Sequence, residues 1–267
     1  MKNINSISFP RARNIIVSGD IHGDFNLLVY LLCEEYQMKD TVLIVAGDCG
    51  FGFDEKVSYE QMAKNNTPIM NEANNWIVFV RGNHDNPHYF DGKEFNHERF
   101  VAVADYTILL ACNHTILCVG GAISIDRYHR INAWGDYCLK HEIAPIRSDK
   151  FSKNYYWIDE FPIFDDEMLT IIKKQYDIDT VITHTAPDFC EFTNKKGLYS
   201  FAATDENLLI DVDCERATMS KLYNRLIHDA HPVSHWYYGH FHHSWNASID
   251  GVFFRMLDIM EFASIDY

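Results

Sequence analysis

The chain has 267 residues, 47% of them hydrophobic, enough to bury one large core, and it carries 38 acidic against 23 basic side chains for a net charge of −15. That balance, with no basic cluster to offset it, excludes a non-specific grip on a long nucleic acid or on an anionic membrane surface. No apolar run approaches the roughly 18 residues of a membrane span, residues 1–10 lack the charged-then-apolar design of a secretory leader, and the seven cysteines are odd in number without C-x-x-C spacing, so the cytoplasm, with reduced thiols, is the expected compartment.

Taken in chain order, Asn14–Ser18 is a short β-branched run that reads as a buried strand, and it ends in Gly19-Asp20-Ile21-His22-Gly23. Residues 24–38 carry apolar side chains at Phe25, Leu28, Val29, Leu31, Leu32 and Tyr36, the stripe of a helix that packs on a sheet. Residues 41–46 predict a second strand ending in Gly47-Asp48, and 76–80 a third ending in Gly82-Asn83-His84-Asp85. Asp85, like Asp24, is read either as a group that orients a metal-ligating neighbour or as a cap on the turn that follows. Cys49, beside Asp48, is read as a small packing residue.

Residues 126–164 are rich in aromatics and hold Arg127, Arg130 and Arg147 after a Gly120-Gly121 strand end, so they are expected to form an elaborated loop over the site. Asp165-Asp166-Glu167 opens a helix with acid at its positive end, and Met168, Ile171, Ile172 and Gln175 form its inner face. Residues 180–182 predict a fourth strand, followed by Thr183-His184. Residues 188–220 read as a second irregular stretch walling the site, with a helix over about 218–230. His235–Tyr238 is the fifth strand and ends in Gly239-His240-Phe241-His242, with His235 and His243 expected to be structural. Trp245–Ile249 and 252–257 pair as a hairpin across the turn dipeptide Asp250-Gly251.

All five histidine and carboxylate clusters therefore stand at strand ends. Ligands of open α/β sheets bind outside the carboxyl ends of the strands, so five strands can deliver these side chains to one crevice. Imidazole, carboxylate and carboxamide donors suit divalent ions, and a pair of such ions is a standard device for hydrolysing phosphate esters without a covalent intermediate. A carboxylate bridging the pair offsets the repulsion of two dications about 4 Å apart, and the ions together lower the pKa of a shared water until hydroxide, the expected nucleophile, forms at neutral pH. An imidazole that protonates the leaving oxygen adds about 10²–10⁴-fold.

The order and strand context of the clusters resemble the calcineurin-like metallophosphoesterase superfamily over about residues 14–258. The resemblance implies an α/β fold, a four-layer α/β/β/α sandwich; length and composition suit one domain as well as two, and one domain spanning 1–267 is the expectation. The resemblance also implies that Asp20, His22 and His242 hold one metal ion, that Asn83, His184 and His240 hold the other, that Asp48 bridges both, and that His84 is the proton donor. Phe51 and Gly52 stand where Ser/Thr protein phosphatases of this superfamily place an Asp and a phosphate-gripping Arg. Arg127 or Arg130 is the candidate replacement, since a guanidinium forks onto two phosphate oxygens. Gly120-Gly121-Ala122, followed by Ser124, Asp126 and basic residues, is similar to a bacterial and phage branch.

The activity so implied is dimetal-dependent hydrolysis of a phosphate ester, first as a phosphomonoesterase acting on a phosphoprotein or small phosphate. A phosphodiesterase or dinucleoside polyphosphate hydrolase is the alternative, and a non-catalytic metal-binding scaffold the third reading. The donors suit two ions of Mn, Fe, Zn or Ni, with Mn expected to support activity in vitro. The expected partner is the phosphate ester itself, neither a long nucleic acid nor a membrane, and the pattern carries no signal for oligomeric state.

Overall fold

Successive residues of β3 (Thr41–Val45) serve two different cores. Val42 and Ile44 face one, Leu43 and Val45 the other, and all five residues are buried. That is the two-residue period of a strand covered on both faces, which is why the run reads as continuously hydrophobic. In the computed structural model, which describes residues 2–140, 155–190 and 195–265, β3 lies at the centre of a five-stranded sheet. It is flanked by parallel β2 (Asn14–Ser18) and β4 (Trp76–Phe79), then by parallel β5 (Phe100–Ala102) on one edge and antiparallel β12 (Phe262–Ser264) on the other.

The second sheet has seven strands, in the order β1 (Ser6–Ser8), β6 (Thr107–Ala111), β7 (His114–Val119), β8 (Thr180–Thr183), β9 (His235–Tyr238), β11 (Val252–Met256) and β10 (Trp245–Ile249). β7, β8, β9 and β11 run parallel. β10 and β11 form the expected hairpin in the register Ile249 opposite Val252, and Asp250 and Gly251 both adopt positive φ, as a tight two-residue hairpin turn requires.

Ile15, Val17, Val42, Ile44 and Val78 of the first sheet interlock with Leu109, Ile116, Cys118, Ile182 and Tyr237 of the second, forming the central core. The outer face of the first sheet is covered by α1 (Phe25–Tyr30) and α2 (Lys56–Ala73), through Phe25, Leu28, Tyr59 and Met62. The outer face of the second is covered by α4 (Asp166–Lys173) and α6 (Leu208–His228), through Leu169, Ile172, Met219 and Leu222. The result is a four-layer α/β/β/α sandwich. Among the described residues no helix is long and apolar enough to cross a membrane.

Three expectations need correcting. The helix expected over 24–38 is α1 followed by one π-helical stretch, Leu31–Glu35, and Tyr36 is exposed rather than on the inner face. The segment 126–164 does not begin as a loop: α3 (Arg127–Lys140) occupies its first part, Arg147 and Phe151 lie outside the described residues, and 155–164 returns to the core. The stretch 188–220 is mostly helical, comprising α5 (Lys195–Ala202) and the first half of α6. Buried Glu215 and Arg216 interrupt the apolar stripe of α6, so its periodicity emerges only from Met219 onward.

Candidate metal centre

The side chains singled out in sequence sit on the loops that leave β2, β3, β4, β8 and β9, and those loops are tied to one another before any ligand is considered. Asp85 accepts hydrogen bonds from the backbone N–H groups of Cys49 (3.0 Å), Gly50 (2.7 Å), Phe51 (2.9 Å) and Gly82 (2.8 Å), so one buried carboxylate fastens the loop after β3 to the loop after β4. Asp24 sits at the N-cap of α1 without a side-chain bond to the helix. Cys49 is buried with its thiol directed at the Val80 carbonyl at 3.2 Å, a packing role. His235 meets Ser234 Oγ through Nδ1 at 2.9 Å, at the start of its strand.

Two motif glycines are required by close approach. A Cβ on Gly82 would overlap the backbone N and Oδ1 of Asp48, and one on Gly239 would overlap Asp20 Oδ1. Four of the expected ligands themselves have left-handed backbones: His22 (φ 45°), Asp48 (φ 46°), His240 (φ 70°) and His242 (φ 48°). Non-glycine residues rarely adopt this conformation, and its recurrence at clustered polar positions marks functional sites.

Asp20, His22, Asp48 and His242 each bring a ligand atom within 4.8 Å of the others. The Nε2 atoms of His22 and His242 face each other at 3.0 Å, and His242 Nε2 lies 3.0 Å from Asp20 Oδ2. That oxygen is buried and accepts no hydrogen bond. A buried carboxylate oxygen without a well-aligned hydrogen bond, among converging imidazole nitrogens, suits a divalent cation.

Beside this group, His184 Nε2 lies 3.0 Å from Asn83 Oδ1 and 3.2 Å from Asp48 Oδ1, with the His240 ring 5.0 Å from the His184 ring. The other nitrogen of His184, Nδ1, meets the Ala46 carbonyl at 2.7 Å, which reserves Nε2 for a metal. Asp48 has a ligand atom close to members of both groups.

The electrostatics of the site agree. Burial alone would raise the Asp48 carboxyl, but the imidazoles of His184, His84 and His22 hold it well below the usual carboxylate range. Burial likewise disfavours charge on His184, yet Asp48 and Asp20 push it up to about 10. A bound cation would supply the positive charge that these buried carboxylates call for and would displace a proton from His184.

A cavity of about 590 Å³ opens over this floor, a size suited to a small organic ligand. Its walls include Phe53, Ile125, Phe201 and Phe241, with Asp126 and Arg130 as the charged groups beside the ligand side chains and His84. Arg130 Nη2 lies 3.4 Å from His84 Nε2, and Arg130 Nε donates to Asp126 at 2.8 Å. Arg127 is placed elsewhere: it pairs with Asp205 and Asp211, both at 2.6 Å, and does not line the cavity. Phe51 is fully buried among Phe25, Tyr59 and Phe79, so the loop after Asp48 sends its side chain into the core rather than toward substrate.

The sequence reading missed the apolar walls: Phe53 lies in a stretch without periodicity, and Phe201 lies on α5, where Leu198, Phe201 and Ala202 mark one face of a helix of only eight residues. Phe241 was in plain view between two motif histidines. Ser124 carried no signal of its own beyond its place after Gly120-Gly121-Ala122.

A profile of calcineurin-like phosphoesterases matches residues 13–244. In structure, the chain is similar to TT1561 of Thermus thermophilus, with 14% identity, 95% of this chain and 98% of that chain covered, and a TM-score of 0.52. It is also similar to a dimetal phosphatase from Danio rerio, with 12% identity, 94% and 88% covered, and a TM-score of 0.48. No curated protein matches. The likeness to TT1561 bears on the fold alone, whereas the profile spans most of the chain and implies a dimetal centre of the kind the donor atoms suit. The chain belongs to the calcineurin-like phosphoesterase family.

Proposed function

We propose that the protein is a metal-dependent phosphomonoesterase acting on a singly phosphorylated small molecule or side chain. Asp20, His22 and His242 would hold one ion, Asn83, His184 and His240 the other, and Asp48 both. When bound, the ions supply an activated water and the charge that offsets the phosphate.

The observation that carries the monoester reading is Arg130. Its guanidinium lines the cavity beside His84, where it can fork onto the non-bridging oxygens that a monoester, unlike a diester, leaves fully charged. In the free protein Arg130 Nη2 points at His84 Nε2, and an arriving phosphate would draw the guanidinium off that ring. His84 would then pass a proton from Nε2 to the leaving oxygen. The acidic character of the chain, with Arg130 the only fixed positive charge among the described cavity residues, disfavours substrates with several phosphates. The apolar walls suit an organic group with a non-polar face.

The test is a side-by-side assay of p-nitrophenyl phosphate, bis-p-nitrophenyl phosphate and dinucleoside polyphosphates with added Mn²⁺. Preference for the monoester, lost in Arg130→Ala, supports the reading. Preference for the diester or the polyphosphate, unchanged in Arg130→Ala, moves the assignment to a phosphodiesterase or dinucleotide hydrolase. A filled two-metal site without turnover of any of them leaves the scaffold reading.

A further inference from the structure

Among the seven expected ligands Asn83 is the one carboxamide, and its side chain can turn its wrong end to a cation. A carboxamide has an oxygen that can ligate and an NH₂ that cannot, and half a turn exchanges them. Three buried residues decide the matter in this fold. Asn83 Nδ2 donates to Ser124 Oγ at 2.9 Å, while Ser124 Oγ donates to Glu160 Oε2 at 2.5 Å and the Ser124 backbone N–H donates to Glu160 Oε1 at 2.8 Å. A hydroxyl that gives its single proton to a carboxylate keeps only lone pairs for its other neighbour, so it accepts from the NH₂ end of Asn83 and cannot satisfy the oxygen end. The carboxamide oxygen is thereby turned toward His184 Nε2, 3.0 Å away.

Glu160 is fixed in its turn. Arg81, buried directly before Gly82, donates through Nη1 to the carbonyls of Asp159 and Glu160 and through Nη2 to that of Phe161. Ala122 N–H donates to the Glu160 carbonyl at 3.1 Å. Residues 155–164 thus reach the centre from behind its ligands rather than from above the substrate. Burial pushes the Glu160 carboxyl up to about 8, and the two bonds it accepts from Ser124 act the other way, favouring its ionised form.

We propose that Glu160, acting through Ser124, is a positioning residue that locks the Asn83 carboxamide with its oxygen toward the metal centre and so sets the affinity of the metal site formed by Asn83, His184 and His240. The proposal rests on the dimetal reading of the centre and is independent of the substrate.

Calorimetric titration of the metal-free full chain with Mn²⁺ tests it, alongside thermal unfolding of the same metal-free samples. Wild type takes up two ions. Ser124→Ala weakens one of the two sites by about 10–100-fold and leaves the other near wild type, as expected when a group that orients a ligand is removed. Ser124→Thr, which keeps the hydroxyl, restores binding, and Glu160→Gln weakens the same site as Ser124→Ala. Wild-type affinity at both sites in Ser124→Ala and Glu160→Gln overturns the proposal while leaving the dimetal reading intact. Equal weakening of both sites with a lowered unfolding temperature also overturns it, since that is the signature of a merely structural role. Failure of wild type itself to bind Mn²⁺ removes the dimetal reading and this proposal with it.

Discussion

Arg127 and Arg130 stand one turn apart on α3, yet Arg130 lies 3.4 Å from His84 while Arg127 is held by Asp205 and Asp211. Two arginines that look equivalent in sequence should therefore fail differently. Arg130→Ala is expected to cost about 2–4 kcal/mol of transition-state stabilisation, roughly 30- to 1000-fold in kcat/KM, with metal content unchanged, and Arg130→Lys should recover only part. Arg127→Ala should leave kcat/KM near wild type and lower stability by about 1–3 kcal/mol, because it strips Asp205 of its partner. Steady-state kinetics and urea unfolding of both variants separate the outcomes, and a large kinetic defect in Arg127→Ala would contradict the assignment.

His84→Ala should keep its metals, lose activity on alkyl phosphates, and lose much less on p-nitrophenyl phosphate, whose leaving group departs without a proton. The expected gap between the two substrates is about 10²-fold or more. Equal losses on both, or loss of metal, would show that the residue has another role.

Chelation should abolish activity and Mn²⁺ should restore it. Asp48→Asn should weaken both ions together, because Asp48 Oδ1 lies 3.2 Å from His184 Nε2 while the residue also belongs to the Asp20, His22 and His242 group. His184→Ala should lose one ion and keep the other. Metal analysis of the purified variants reads this directly; loss of a single ion in Asp48→Asn is the result that would deny it the bridging position.

A prediction about stability concerns the far end of the second sheet. His231 Nδ1 accepts the Ile178 N–H at 3.0 Å and is buried. Burial pushes its pKa below the ordinary histidine value, helped by Lys173 and Arg225 and opposed by Asp229 and Asp177. A lowered folded pKa means that the unfolded chain takes up the proton first, so the stabilisation is complete above about pH 6.5 and is lost as pH falls below it. Protonated Nδ1 cannot accept, and the orphaned N–H costs about 1–3 kcal/mol. Urea midpoints at pH 7.5 and 5.5 should fall further in wild type than in His231→Gln, whose amide oxygen accepts at any pH; equal falls would rule out this residue as the source.

What the sequence displayed was whatever is local. Each candidate metal-binding cluster follows its strand within one to four residues, and period-two or apolar runs such as 42–46 need no knowledge of their neighbours to be read as strands. The chain hid what depends on distant partners. α2 has Pro68 in its interior and buries only five residues, so neither its pattern nor its composition announces eighteen residues of helix. Glu160 looks like a surface acid until Arg81, 79 positions earlier, fixes its carbonyl and Ser124, 36 positions earlier, meets its carboxylate. Arg127 and Arg130 could be told apart only once the turn before α6 and the first turn of α6 brought Asp205 and Asp211 beside one of them.

The left-handed backbones at His22, Asp48, His240 and His242 bear on how this chain can evolve. Each such residue holds its conformation at a cost of about 1–3 kcal/mol that glycine would largely avoid. If these four side chains hold the proposed ions, stability and metal binding pull in opposite directions there, apart from what a side chain does in the fold itself, as Asp48 does in accepting the His84 N–H. A descendant of this chain released from metal binding should drift to glycine or asparagine at these four positions before it changes at Asn83 or His184, whose backbones carry no such penalty.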